Sequence, residues 1–205
     1  MGEAKPAVYQ WVLLGIVLTV FVWSGIEPHD RFTWFLEVAP VLIGLPIVIA
    51  TGRRFPLTPL LYVLLTIHAV ILMVGGKYTY AEVPAGFWVQ DLLGLERNHY
   101  DRLGHFAQGF VPAILAREIL WRRSPLRGSR WLGFVVVSIC LAFSAFYELI
   151  EWWTAAASGE AADAFLGTQG DPWDTQWDMF LALLGALSAL LLLRRVHDRQ
   201  LTSLP

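Results

Sequence analysis

Three pairs of ionisable residues, each at helical spacing, are the part of this sequence that could do chemistry. Asp101 and His105 stand four apart, Glu148 and Glu151 three apart, and Asp174 and Asp178 four apart, so the members of each pair share one face of a helix. One imidazole among carboxylates can hold a divalent ion, the oxygen-rich set suiting Mg, Mn, Ca or Zn. It can equally work as a general acid and base. The candidate metal ligands are therefore His105, Asp101, Glu148, Glu151, Asp174 and Asp178, and the candidate catalytic groups are Asp101, His105, Glu148 and Asp178. Glu37 and His68 are two further ionisable residues inside apolar runs. No HExxH or GxSxG string assigns a reaction class.

Each of these residues also has a plainer reading. Asp171 before Pro172 has the form of an N-cap with proline at the first helical position, and Asp174 three residues on completes a capping-box pattern. Asp101 fits the third position after an Asn98 cap, where it favours the helix dipole. A lone His68 on an apolar helix reads first as a satisfied core histidine. Glu148 and Glu151 resist such a reading, because they close a helix at the end where the macrodipole disfavours acids. They ask for a partner: a cation, a proton, His105 or Arg102. Glu160, Asp163 and Gln169 read as solvated loop, and Glu118 beside Arg117 and Arg122 as an interfacial ion pair.

What must position these residues is a membrane bundle. Of 205 residues, 56% are hydrophobic and 16% charged, and mean hydropathy is +0.53, against roughly 25% charged residues in ordinary soluble domains. Six spanning helices are predicted, over residues 7–26, 33–50, 56–74, 100–121, 131–153 and 172–193, in one integral membrane domain of residues 1–205. A cleaved signal peptide is the rival reading of the first segment, but its apolar part is longer than a usual h-region. Pro40 and Pro46 interrupt the second helix, and Gly75, Gly76 and Lys77 close the third. The polar connection after it, with Tyr78, Tyr80, Phe87 and Trp88, is long enough to be a folded surface element. Cys140, the single cysteine, excludes an internal disulfide.

Eleven of the fifteen basic residues fall at the N-terminus, in the second and fourth connections and in the tail. That asymmetry predicts cytoplasmic termini and an even number of spans. The acidic and histidine ends then meet at the external surface, with stripes of small residues (Ala182, Gly185 and Ala189 below Asp178; Ser144 and Cys140 below Glu148) turning them toward the bundle interior. No basic patch with interleaved aromatics suggests nucleic acid.

Four strings carry a resemblance: YDRLGHFAQGF from Tyr100, YELIEWW from Tyr147, FLGTQGDPWDTQWDM from Phe165 and GGKYTYAEVP from Gly75. They resemble the YjdF family of bacterial inner-membrane proteins over nearly the whole chain, which implies a multi-pass protein of the inner membrane. A fainter likeness links helices four to six with VanZ-like proteins, through Asp101, Arg102, His105 and Phe106, then Glu148, then Asp174. Where VanZ-like proteins tend to have asparagine and glutamine, Asp178 and Glu151 stand here. That likeness implies a place at the outer membrane face and the cell envelope rather than an activity.

Three functions compete on this reading. The first is a membrane-embedded site, metal-binding or acid–base, acting on an amphipathic or lipid-linked small molecule. The second is a small proton- or cation-coupled carrier using Glu37, His68 and the outer acids, against which stand inner helix halves with almost no ionisable residues. The third is a non-catalytic scaffold or binding protein.

Overall fold

A computed structural model describes residues 7–158 and 168–204, with the side chain of Ser158 excepted. Among the described residues the chain is all-helical: α1 (Val8–Gly25), α2 (Arg31–Thr51), α3 (Pro59–Tyr78), a 3-10 turn (Tyr80–Glu82), α4 (Pro84–Leu93), α5 (Tyr100–Arg123), α6 (Trp131–Ser158) and α7 (Asp174–Ser203). Glu160 and Asp163, read from sequence as solvated loop, lie outside the described residues.

Local chemistry sets most helix starts. Asp30 caps α2 by accepting the Thr33 N–H at 2.6 Å, a bond that holds its carboxyl below the usual carboxylate range. Thr58 caps α3 through the Leu61 N–H, with Pro59 in the first turn. Pro84 opens α4, and Gly94 closes it at φ 62°, a left-handed conformation that glycine adopts without strain. The connection after α3 is thus a folded element, a 3-10 turn followed by a ten-residue helix.

Five helices are long and apolar enough to cross a membrane: α1, α2, α3, α6 and α7. The fourth predicted span, α5, is not of that set, for its length suffices but it carries ten buried residues that include Asp101, His105, Arg117 and Glu118. Packing explains the difference. α5 is embraced by α3, α6 and α7, its most extensive contact being with α7, so it presents little surface to lipid and can afford polar residues. Its apolar middle joins the larger core (Leu61, Val111, Ile114, Val136, Cys140, Ala186), while α1, α2 and α3 share a smaller one (Val17, Val38, Val41, Met73). Outward-facing side chains such as Ile43, Phe143 and Leu191 stay exposed, as suits a lipid-facing surface.

Three predicted boundaries are corrected. Gly75 and Gly76 do not stop α3, which runs on to Tyr78; both are buried and serve as packing surface, since a Cβ at Gly75 would meet the Tyr80 ring. Pro40 and Pro46 lie inside α2 without ending it. α7 begins at Asp174 rather than Pro172 and continues to Ser203, well past the predicted end at 193, because His197 and Leu201 are buried on its inner face.

The closest approach in the bundle is between α5 and α7. A Cβ at Gly109 would overlap the carbonyl oxygen of Ala182, and one at Gly185 would overlap that of Phe106. The two backbones therefore touch, as small residues permit. Gly109→Leu should lower the thermal midpoint of the purified protein markedly, by the ~1–3 kcal/mol or more of an overpacked core. Gly15→Leu, at a position with nothing within 4 Å, is the control. Equal midpoints for the two variants would refute the close approach.

Candidate functional site

The first turns of α5 and α7 and the last turns of α6 place their ionisable side chains around one imidazole. His105 Nε2 lies 3.5 Å from Asp101 Oδ1 and 3.9 Å from Asp178 Oδ2, and His105 Nδ1 lies 3.8 Å from Glu148 Oε1. His105, Asp101, Asp178, Glu148 and Glu151 are all buried, none more than 9% exposed. Two overlapping sets of ligand atoms result, Asp101–His105–Asp178 and His105–Glu148–Glu151, each with its atoms within 4.8 Å of one another. Such groups could hold a metal ion.

The spacing is informative. Gaps of 3.5 to 3.9 Å exceed the 2.7–3.2 Å of ordinary hydrogen bonds. His105 Nδ1, Glu148 Oε1 and Asp178 Oδ1 are accordingly buried with no hydrogen-bond partner. Ligand atoms around an ion with bonds of about 2.0–2.2 Å stand roughly 3 to 3.5 Å apart, so a small contraction would suffice. One turn deeper, Gln108 Oε1 and Ser144 Oγ are likewise buried and unpartnered, extending the polar lining inward.

The remaining predicted residues divide. Asp174 is buried beside this group but bonds Arg97 Nη1 at 2.9 Å. Glu37, 4% exposed, accepts the Tyr147 hydroxyl at 3.2 Å, and the Tyr147 ring meets the His105 ring edge-on at 6.5 Å. Glu37 thus reaches the centre through a tyrosine that the sequence reading did not single out. His68 is not among the converging ligand atoms, and it is not the satisfied core histidine expected, because its Nε2 is buried without a partner.

Several plain readings are also corrected. Asp171 does accept the Trp173 N–H at 2.9 Å, but it is more than a cap: its other oxygen pairs with Arg102 at 2.7 Å and Arg97 at 3.4 Å. Asp174 makes no capping box, since α7 has no side-chain cap bond. Arg102, one residue past Asp101 and so turned about 100° around the helix, reaches Asp171 instead of Glu148 or Glu151. Asn98 Oδ1 does receive the Tyr100 N–H at 3.0 Å, though His99 holds the cap position. Gln169 is no free loop residue, for its amide bonds the Asn98 backbone in both directions, at 3.1 and 2.8 Å.

A second buried polar group sits at the opposite end of α5. Glu118, expected to be an interfacial ion pair, is fully buried. It accepts from the Thr58 N–H and hydroxyl (2.7 Å), from Arg122 (3.0 Å) and from the His197 ring at 3.1 Å. Arg117, beside it, contacts His197 at 2.9 Å and pairs with Asp198. The sequence reading missed this because it ended the last helix at 193, leaving His197 outside the bundle. The only signal was Thr58–Pro59 at a helix start with an acid and arginine four apart in α5. With its members mutually satisfied, the group ties α3, α5 and α7 together.

Comparison with known proteins agrees with a membrane fold. The family model described as "Predicted membrane protein (DUF2238)" matches residues 9–199. The inner membrane protein YjdF of Escherichia coli (strain K12) is 57% identical over 197 residues, covering 96% of this chain and 94% of that protein. No solved structure matches. Neither match is to a VanZ-like protein.

Removing one member of the Glu118 group leaves the others buried and unpaired, at a cost of about 3–5 kcal/mol. Glu118→Ala should therefore unfold in detergent well below the wild type, whereas Arg194→Ala, at a 72% exposed side chain, should not. Thermal melts that fail to separate the two variants would show that the group is not a structural tie.

Proposed function

This chain belongs to the DUF2238 membrane-protein family, and we propose that its buried histidine–carboxylate cluster holds one divalent cation and presents it to an amphipathic envelope substrate. The protein is a multi-pass inner-membrane protein. In the proposed topology α5 is the fourth of six spans, both termini are cytoplasmic, and the cluster opens to the external face, in keeping with the eleven basic residues gathered on the other side.

The observation that carries the reading is the pair of ligand sets sharing His105, with buried atoms on three of its members lacking any partner. A single imidazole cannot give both nitrogens to one ion. Nε2, which has the shortest approach, Asp101 at 3.5 Å, and a second carboxylate, Asp178, near the same nitrogen, is favoured as the ligand atom, with Asp101 and Asp178 completing the set. Nδ1–H then points to Glu148, which would fix the ring and raise its basicity, as carboxylates behind metal-bound histidines do. Glu151 stands behind Glu148 as a further acceptor, and Glu37 with Tyr147 closes the α2 side. When bound, the ion would supply Lewis acidity or an activated water.

Elemental analysis of the purified protein tests this. About one equivalent of a divalent metal is expected in the wild type. Asp178→Ala should abolish it, and Glu148→Gln should weaken binding roughly 10- to 100-fold, as loss of an orienting carboxylate does. Wild-type protein that takes up no divalent metal, or an Asp178→Ala variant that keeps its equivalent, would sink the proposal.

A further inference from the structure

Beside the buried acids, at the same end of the bundle, a cleft of about 460 Å³ is lined in part by Glu96, Arg97, His99, Arg102, Asp171 and Trp177. A second hollow of about 460 Å³ shares Trp177 with it and is lined by Trp173, Gln176, Trp177 and Phe180. The first is charged and the second is almost wholly aromatic. Trp173, Trp177 and Phe180 are each 44% or more exposed, at the cap and on the first two turns of a helix apolar enough to cross the membrane.

We infer that the two hollows form one binding site for a lipid bearing a phosphate headgroup, with the phosphate between Arg97 and Arg102 and the chain lying along Trp177 and Phe180. Both guanidinium groups already converge on one anion, the Asp171 carboxylate, at 3.4 and 2.7 Å. That carboxylate marks where an anion is held in this cleft. Arg102 gives Asp171 a single Nη2 bond, and its Nε is buried with no acceptor. The guanidinium fork therefore has capacity for a second acceptor, and a tetrahedral phosphate can bridge two guanidiniums while leaving Asp171 on one of them. The Trp177 ring, 5.3 Å from the Arg102 guanidinium carbon, fixes the fork's direction. His99 Nδ1 is a further buried atom without a partner. Burial, then the charges of Arg102 and Arg97, hold the His99 imidazole below its ordinary range.

The aromatic hollow selects the source of the phosphate. A soluble anion would use only the charged cleft, whereas a lipid lying beside α7 fills both at once, and rings of this kind settle at headgroup level. Arg97 also bonds Asp174, which neighbours the cluster around His105. The headgroup would thus sit next to the proposed cation. The inference names a substrate class for the reading above and in that sense rests on it, yet it uses none of the metal ligands.

The test is native mass spectrometry of the purified protein with phosphatidic acid, with diacylglycerol of the same chains and with inorganic phosphate, each with and without EDTA. Phosphatidic acid should bind about tenfold better than diacylglycerol, with or without EDTA, in line with one charge-assisted contact pair. Arg102→Gln and Trp177→Ala should lose the preference, and Arg102→Lys should keep part of it, showing that the fold survives at this position. Equal binding of the two lipids, an unchanged preference in Arg102→Gln, or displacement of phosphatidic acid by an equal concentration of inorganic phosphate would each overturn the inference. Preference retained in protein that binds no metal would fail the metal reading alone, and metal bound without lipid preference would fail this one alone.

Discussion

Everything at the polar end of this bundle depends on the contact of two helix backbones in its middle. Gly109 lies on Ala182, and Gly185 lies on Phe106, with no side chain between them. α5 and α7 run in the same direction, so this close approach brings their first turns together and their last turns together. The first turns meet as Asp101, His105 and Asp178. The last meet as Arg117, Glu118, His197 and Asp198. A wider crossing would carry Asp178, now 3.9 Å from His105, out of reach of any ligand shared with it, and would open the lower group to lipid.

The two polar groups satisfy their charges differently. Around Glu118 the balance is internal: Arg122, His197 and the α3 cap supply donors to the buried acid, and Arg117 holds the other side of the His197 ring. Around His105, four buried acids (Asp101, Asp178, Glu148, Glu151) face one imidazole, and the nearest arginines turn away to Asp171 and Asp174. Carboxylates placed so close in a medium of low dielectric cannot all stay ionised without counter-charge, which must come from bound cations or protons. The first group has the chemistry of a structural tie, and the second an excess of acids over bases.

Much of this was legible before any coordinates. Helical spacing alone placed Asp101 with His105, and the small-residue stripe Ala182, Gly185 and Ala189 told which face of α7 turns inward; all three are buried. What escaped depended on contacts between distant segments. Nothing local says that Arg102 reaches Asp171 rather than Glu148, that Gln169 clasps the Asn98 backbone, or that Tyr147 hands Glu37 to the centre. The composition rule that finds spans leaves out α5, whose polar residues are buried against neighbouring helices. His197 escaped for a related reason: a tail rich in arginine reads as leaving the membrane, although its inner face stays packed.

The buried pair Glu118–His197 removes one argument against a carrier, since the end of the bundle opposite His105 does hold ionisable residues. It does not supply a pathway. His105 and Glu118 are thirteen residues apart on one helix, roughly 20 Å at 1.5 Å per residue. Below Gln108 and Ser144, the stretch between them is filled by Val111, Ile114, Val136, Cys140, Ala186 and Ala189, which belong to one packed apolar core. A proton or ion crossing that layer would need polar groups or water along the way, and every donor around Glu118 is already committed. Two polar ends joined by an apolar, backbone-tight middle suit a site that must hold several like charges in place more than one that must pass them on.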